Sequence, residues 1–558
     1  MRWTGFAFSR CEDREKLSNP ATFVPQSESS LRSMKRMALG LVVLITVSAA
    51  AQTVDVVPAT NAARIVRSLA DTSDLHNVYA PIGDRLVWTR NGKPTAQAQA
   101  LLGMFVTAET KGLRSADYVV TAPAAADDAS LAHFDVAMTS AAMRYAAHLH
   151  GGRIDPRSVG FDFDVDAKKL YLPAVVMTLT ESSDVANAIA ALEPQQPEYK
   201  RLLVALATYR QMAAEPEVAL PVVAKLAPHD RYDALPQLAA KLRRLGDLSA
   251  DTVIDTTTYD GAVVAAVKHF QARHGLDADG VISRRTFAAL NTPAATRVQQ
   301  LEWALERARW MPSRADAAAV LVNIPEFELR AVNANGELAM RVVVGKAAGH
   351  RTPVFGGDIQ HVVFRPSWSV PARIQHNEIV PHIERDRAYL ARNNFEIVDA
   401  NGRAIGSSVD DATLAALRSG AFRVRQKSGD DNALGLLKFV FPNDNDVYLH
   451  STPAQSLFAR TRRDFSHGCI RVEDPVALAA WALQWSPEKV RAALASDRED
   501  VYVRLAKSIP VVILYNTAVV TAEGDVHFYD DIYGHDATLA AALAPARTQP
   551  STMVAAAR

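Results

Sequence analysis

The sequence predicts a multidomain α+β protein: a helical N-terminal scaffold, a small helical module, and a mainly-β C-terminal domain with an inserted lid. Three observations lead there. The chain has 558 residues, too many for one core at about 150 residues per domain. Apolar residues recur at helical spacing through the first half. From about residue 318 the spacing switches to period-two alternation, the mark of half-buried strands. Lys+Arg and Asp+Glu balance at 61 each, so no basic excess exists to hold a phosphate backbone, and nucleic acid is not an expected partner.

The N-terminus reads as an address. "MKRMALGLVVLITVSAAAQ" starts at Met34 with Lys35 and Arg36, runs apolar from Met37 to Val47, and closes on Ala49-Ala50-Ala51. The run is shorter than the roughly 20 residues that span a bilayer. We read residues 1–51 as an extension plus a secretory signal, with the start at Met34 and cleavage after Ala51. No cysteine follows that point to take a lipid, so a soluble periplasmic protein without a membrane anchor is expected. Cleavage removes Cys11 and leaves Cys469 as the single thiol. An unpaired thiol in an oxidising compartment is a candidate for reactivity.

Residues 52–246 form the expected scaffold. Helices are predicted in "TSAAMRYAAHLHGGRIDPRSVGF", stopped by Gly151-Gly152 and Pro156, and in "DVANAIAALEPQQPEYKRLLVALATYRQMA". His148 and His150 have no metal-ligand spacing. Residues 247–296 form the module. Val263, Val267 and Phe270 share one helix face, Gly275 ends that helix, Asp279-Gly280 turns, and Ser283 caps a second helix through Leu290. A linker helix, Thr296 to Trp310, leads to the domain at 297–540. Its first hairpin is expected around Asn335-Gly336, with further strands in "IQHVVFRPSWSV", "LGLLKFVF", "DVYLH" and "PVVILYNTAVV". Between about 371 and 432 lie a charged helix, "NEIVPHIERDRAYLARN", and a strand-turn, "FEIVDANG", expected to form a lid. Residues 541–558 read as a flexible tail.

The chemistry concentrates in "RRDFSHGCIRVEDP". A free thiol is only about 3% thiolate at pH 7, so a nucleophilic cysteine needs a base or positive surroundings. If 467–471 are extended, His467, Cys469 and Arg471 share one face, with Ser466 and Gly468 on the other. Asp474-Pro475 would start a helix whose N-terminus favours a thiolate nearby. His450 ends the strand "DVYLH", and either histidine could be the base on spacing alone. Zinc ligation by His450, His467 and Cys469 lacks any CxxC or HxxxH spacing.

"FQ..HGL..DGV....T..ALN" resembles the three-helix peptidoglycan-binding module. "VYLHSTPAQSLFARTRRDFSHGCIRVEDP" resembles the L,D-transpeptidase catalytic-domain family, whose signature is a histidine, a loop, then Ser/Thr-His-Gly-Cys. "HGGRIDPRSVG", "RTPVF", "WSVP", "ALGLLKFVFPN" and "HFYDDIYG" resemble its large periplasmic branch, with scaffold, module and lid. The resemblance implies Cys469 as nucleophile and His450 as proton acceptor and donor. His467, Ser466 and Gly468 would orient that pair, the amides of Gly468 and Cys469 would form the oxyanion site, and Arg471 and Tyr448 would contact substrate. Many members have asparagine in place of Arg471. The implied reaction is acyl transfer from a tetrapeptide stem, releasing D-alanine and forming 3→3 cross-links during cell-wall biogenesis, with carbapenems as acylating agents. Peptidoglycan stems and glycan, and other wall-synthesis proteins, are the implied partners, and no cofactor or metal is implied. Hydrolysis at the same cysteine, attachment of a wall protein, and a non-catalytic wall-binding scaffold are the alternatives.

Overall fold

The computed structural model describes residues 60–544 except Val165, Asp255 and 312–317. The expected signal segment and the chain beyond Ala544 lie outside the described residues. No helix among those described is long and apolar enough to cross a membrane.

The architecture is mixed helical and β, with a helical N-terminal region, a small helical module and a β-rich C-terminal domain. The C-terminal strands are β1 (Ala319–Asn323), β2 (Glu328–Asn333), β3 (Gly336–Gly345), β4 (Val354–Phe364), β5 (Leu437–Val440), β6 (Leu449–His450), β7 (Asp464–Ser466), β8 (Ile470–Val472) and β9 (Val501–Leu514). They pair in the order β5-β6-β8-β3-β2-β1-β9-β4, and β4 also pairs with β5, so the sheet closes on itself. Closure leaves the eight strands of this ring no free edge, while β7 lies outside the ring and pairs with β3. Val322, Leu329, Val342, Val362, Phe439 and Ile470 meet inside it in one cluster, the consequence of period-two alternation on a closed sheet. The first hairpin turns at Ala334–Asn335, one residue earlier than the Asn335-Gly336 signal, and Gly336 is the first residue of β3.

The chain between β4 and β5 builds a separate small sheet from Trp368–Ser369, Phe395–Val398, Ala404–Gly406 and Arg423–Gln426. It has its own apolar cluster around Ile383, Ile397, Leu417 and Val424. The charged helix expected there is broken. A three-residue α turn (Ala372–Ile374) runs into a π-helical turn (Gln375–Ile379) and then into Val380–Arg385, and a further short helix spans Tyr389–Arg392. Pro381 lacks the N–H that would continue a regular ladder, and Asp386, in an extended conformation, stops the second piece.

The N-terminal helices pack around Asp128–Gly151. Within that core Asp135 accepts hydrogen bonds from the amides of Val87 (3.0 Å) and Trp88 (2.7 Å) and from the Tyr79 hydroxyl (2.9 Å). Burial nevertheless pushes its carboxyl up to about 6. The strand Phe161–Asp162 pairs in parallel with β4, and Phe161 and Phe163 join the barrel cluster. The N-terminal region therefore completes the C-terminal domain's packing.

The module's core reaches back past the residue-247 boundary drawn from sequence. Leu235, Leu238 and Leu242 on the helix Leu235–Arg244 pack with Val267, Phe270 and Phe287 of the helices Gly261–Ala272 and Arg284–Leu290. Ser283 caps the last helix by accepting the Thr286 amide (3.3 Å), and Gly275 takes a left-handed conformation where the middle helix stops. The flexible tail expected from 541 overlaps described helical residues at its start, and its remainder, 545–558, lies outside the described residues. A helix spans His535–Leu543 because Leu539, fully buried, packs into the barrel cluster.

Candidate active site

The sequence leaves open how His450 could reach Cys469 across 18 intervening positions. The answer is a parallel pairing: β6 lies beside β8 with Leu449 opposite Ile470 and His450 opposite Arg471. The Ile470 amide donates to the Tyr448 carbonyl (3.1 Å), locking the two strands where Cys469 enters β8. Residues 451–469 leave the ring through a 3-10 turn (Gln455–Ala459) and return along β7, which pairs with β3. Tyr448, His450, Cys469 and Arg471 thus sit on two adjacent strand ends, with Lys438 of β5 opposite His450 on the other side.

Residues 467–469 form a bend between β7 and β8 rather than a continuous strand, so the shared face expected for His467, Cys469 and Arg471 does not arise. Gly468 turns the chain with φ +123°, a conformation L side chains rarely adopt. Ser466, 2% exposed, closes the bend from inside. Its Oγ donates to the Cys469 carbonyl (2.5 Å) and accepts the Gly468 amide (3.1 Å). The Gly468 N–H is therefore committed, whereas the Cys469 N–H makes no hydrogen bond among the described residues. Of the two oxyanion donors expected from sequence, only the Cys469 amide is free.

A third segment holds the bend from outside. The Thr352 hydroxyl donates to the Gly468 carbonyl (2.7 Å) and accepts the Gly345 amide (2.9 Å), and the Lys346 amide donates to the Ser466 carbonyl (3.0 Å). The Tyr533 hydroxyl donates to the Gly345 carbonyl (2.5 Å). A Cβ on Gly345 would lie 1.9 Å from the His350 carbonyl oxygen, so no other residue fits there. Sequence reasoning assigned no role to Thr352 or Tyr533, although both lie in family-like stretches, "RTPVF" and "HFYDDIYG".

The two histidines differ in kind. His450 is 4% exposed, and its Nδ1 donates to the Ser451 carbonyl (2.6 Å), which leaves Nε2 as the acceptor. Burial, reinforced by Arg471, lowers its pKa to about 3, so the ring is neutral at physiological pH. The His467 side chain is partly exposed, contacts Glu378 of the π-helical turn (Nε2 to Oε1 2.9 Å), and stacks edge-on against His350 at 4.7 Å between ring centroids.

The thiol is not pre-ionised. Its sulfur contacts the Asp446 carbonyl (3.6 Å), not a histidine. Burial pushes the Cys469 thiol up, against the opposing pull of Tyr448 and Lys438. The expected help from a helix N-terminus is missing for a physical reason. The helix Pro475–Leu483 starts beyond β8, and the Asp474 carboxylate already accepts the Ala477 amide (2.9 Å) there. The positive groups are side chains instead. The Lys438 ammonium lies 3.8 Å from the Tyr448 ring centroid. Arg471 is partly buried with its Nε unpartnered among the described residues, and burial lowers its pKa while Cys469 pulls it back up. The zinc set considered from sequence, His450 with His467 and Cys469, is not a group of converging ligands. His350, Glu378 and His467 are.

A barrel that sets a histidine-flanked cysteine at the junction of β6 and β8 can now be compared with known proteins. Residues 317–513 match the family described as L,D-transpeptidase catalytic domain. Over this region the chain is similar to L,D-transpeptidase catalytic domains. Two further matches flank it: residues 73–206 match a scaffold domain, and 231–290 match a "Putative peptidoglycan binding domain". A Haemophilus influenzae protein named "Putative L,D-transpeptidase" is 33% identical over 244 residues, 43% of this chain and 48% of that protein. The match thus spans about half the length of that curated relative. Among solved structures, the L,D-transpeptidase of Xylanimonas cellulosilytica is 15% identical, covering 54% of this chain and 99% of its own, with a TM-score of 0.17. L,D-transpeptidase 1 of Mycobacterium tuberculosis is 12% identical, covering 36% and 62%, with a TM-score of 0.14. Scores this low carry no argument about the L,D-transpeptidase site.

Proposed function

We propose that the whole chain is a periplasmic peptidoglycan L,D-transpeptidase that forms 3→3 cross-links with Cys469 as nucleophile and His450 as general base. The observation that carries this reading is the β6–β8 pairing, which puts a buried, neutral histidine beside the strand end that holds the thiol. The Cys469 sulfur attacks the carbonyl between the third residue of a tetrapeptide stem and its terminal D-alanine. Its proton passes to His450 Nε2. The oxyanion takes the Cys469 amide, a donor worth about 3–4 kcal/mol in such sites, with the Arg471 guanidinium adding positive charge nearby. D-Alanine leaves with the proton from His450. A side-chain amine of a second stem then attacks the thioester, gives its proton to His450 and frees the thiol.

In this reading Ser466 and Gly468 shape the bend, Tyr448 lines the substrate channel, and His467 links the site to the subdomain at 371–432, which acts as a lid. The lid limits hydrolysis of the thioester by water. The small module would hold wall glycan. The test is intact-protein mass spectrometry after incubation with a tetrapeptide stem. We expect an acyl adduct minus D-alanine on the wild type, none on Cys469→Ala, and cross-linked dimers once an acceptor stem is added. Released D-alanine without dimers would favour a hydrolase, and an adduct on the alanine variant would remove Cys469 from the reaction.

A further inference from the structure

We propose that His350, Glu378 and His467 form a binding site for a zinc-type divalent cation that fastens the lid to the catalytic bend. Their donor atoms lie within 4.8 Å of one another, and all three residues are half-buried, so an ion can enter. A tetrahedral ion with bonds of about 2.0–2.2 Å needs its ligands about 3.4 Å apart, a side-chain adjustment of about 1 Å. Two imidazoles and one carboxylate with an open fourth position are a zinc donor set, whereas magnesium and calcium require oxygen ligands.

Two of the three ligands are preorganised. The rings of His350 and His467 already meet edge-on, and apart from Glu378 neither has a hydrogen-bond partner among the described residues. Their backbones cannot drift apart. Lys346 and Thr352, on either side of His350, bond the carbonyls of Ser466 and Gly468, on either side of His467. The third ligand arrives from elsewhere. Glu378 sits on the π-helical turn Gln375–Ile379, at the start of the subdomain between β4 and β5. Such one-turn widenings often mark functional positions. A bound ion would replace a single contact, Glu378 to His467, with a three-way tie between two loops of the barrel and the lid.

Binding itself is independent of the proposed acyl transfer. The consequence rests on that reading: metal immobilises His467 and the lid, so transfer slows.

The test uses the full mature chain carrying Cys469→Ala, which removes the thiol as a competing ligand, stripped of metal and titrated calorimetrically with zinc chloride. One equivalent should bind with a Kd on the order of micromolar. His350→Ala and Glu378→Gln should each weaken binding at least about tenfold, with circular dichroism confirming that both remain folded. No saturable binding up to about 1 mM, or unchanged binding in either folded variant, overturns the site. A parallel assay on the Cys469-intact enzyme separates site from consequence. Zinc should inhibit transfer in the wild type and lose potency against Glu378→Gln. If zinc binds yet transfer is untouched, the inhibitory consequence is wrong. If metal-free enzyme makes no acyl adduct at all, the transpeptidase reading fails while the calorimetry still decides the site.

Discussion

Replacing Ser466 with alanine removes one oxygen that serves two buried backbone groups. The hydroxyl donates to the Cys469 carbonyl at 2.5 Å and accepts the Gly468 amide at 3.1 Å, in a side chain only 2% exposed. Water cannot take its place without opening the bend. Each orphaned buried group costs about 1–3 kcal/mol, so about 2–6 kcal/mol favours a rearranged loop in the variant. At 1.4 kcal/mol per tenfold, acylation of Cys469 by a tetrapeptide stem should fall at least about 30-fold in kcat/KM. Alkylation by iodoacetamide needs the thiol but not the bend, so its rate should stay within about threefold. Ser466→Thr keeps the oxygen and should recover most of the loss. Single-turnover mass spectrometry with stem and with iodoacetamide reads both rates on one sample. Stem acylation within about threefold of wild type in Ser466→Ala would refute the claim that this oxygen holds the nucleophile in place.

The remaining expectations follow from the same geometry. His450→Gln should lower stem acylation by about 10²–10⁴-fold, and a smaller effect than that of His467→Gln would reverse the roles assigned to them. Thr352→Val removes the donor to the Gly468 carbonyl and the acceptor for the Gly345 amide, and should cost about 2 kcal/mol in denaturant unfolding as well as slowing acylation. Stability should fall as pH drops from about 6.5 toward 4. His148 and His535 are pushed down to about 4 and His450 to about 3, chiefly by burial. In that window the unfolded chain takes up protons that these folded rings refuse, so the slope of stability with pH is positive. Asp135, raised to about 6, Glu328, raised to about 7, and Asp536, also raised by burial, oppose this. His274, His467 and His527, all lowered by burial, add to it. A Tm that is flat or rises between pH 6.5 and 4 would contradict the burial of these rings.

How much of this was readable from the residues depends on the range of the interaction. Ser283 as a cap, Gly275 as a stop and the buried face Val263-Val267-Phe270 are local patterns, and the structure places each as expected. "SHGC" marked the candidate reactive segment for the same reason. Pairing between distant strands leaves no local trace. Nothing in "DVYLH" says that Leu449–His450 will run parallel to Ile470–Val472, so sequence spacing could not choose between two histidines. The extended reading of 467–471 failed because Gly468 takes a positive φ and turns the chain between β7 and β8. The residue-247 boundary failed because a helix of average composition, Leu235–Arg244, gives no sign of which core its leucines will enter.

The resting charges also bear on how the proposed acyl transfer would start. A cysteine nucleophile can be stored as a thiolate–imidazolium pair or made only when substrate arrives. Storage requires an imidazole that protonates more readily than the thiol, and here both shifts oppose it. His450 is held neutral down to about pH 3, while burial raises the Cys469 thiol. The proton must therefore move as the carbon–sulfur bond forms, when negative charge leaves sulfur for the carbonyl oxygen and the Cys469 amide can receive it. Lys438 and Arg471 favour that charge without fixing it on sulfur at rest, because each is itself partly desolvated. A protonated thiol also resists oxidation, since thiolates are the form that oxidises. On this account oxidation by peroxide should be slow in the free enzyme, whereas stem acylation stays fast. A Cys469 that forms sulfenic acid as readily as a thiolate-type cysteine would show that the pair is ionised after all.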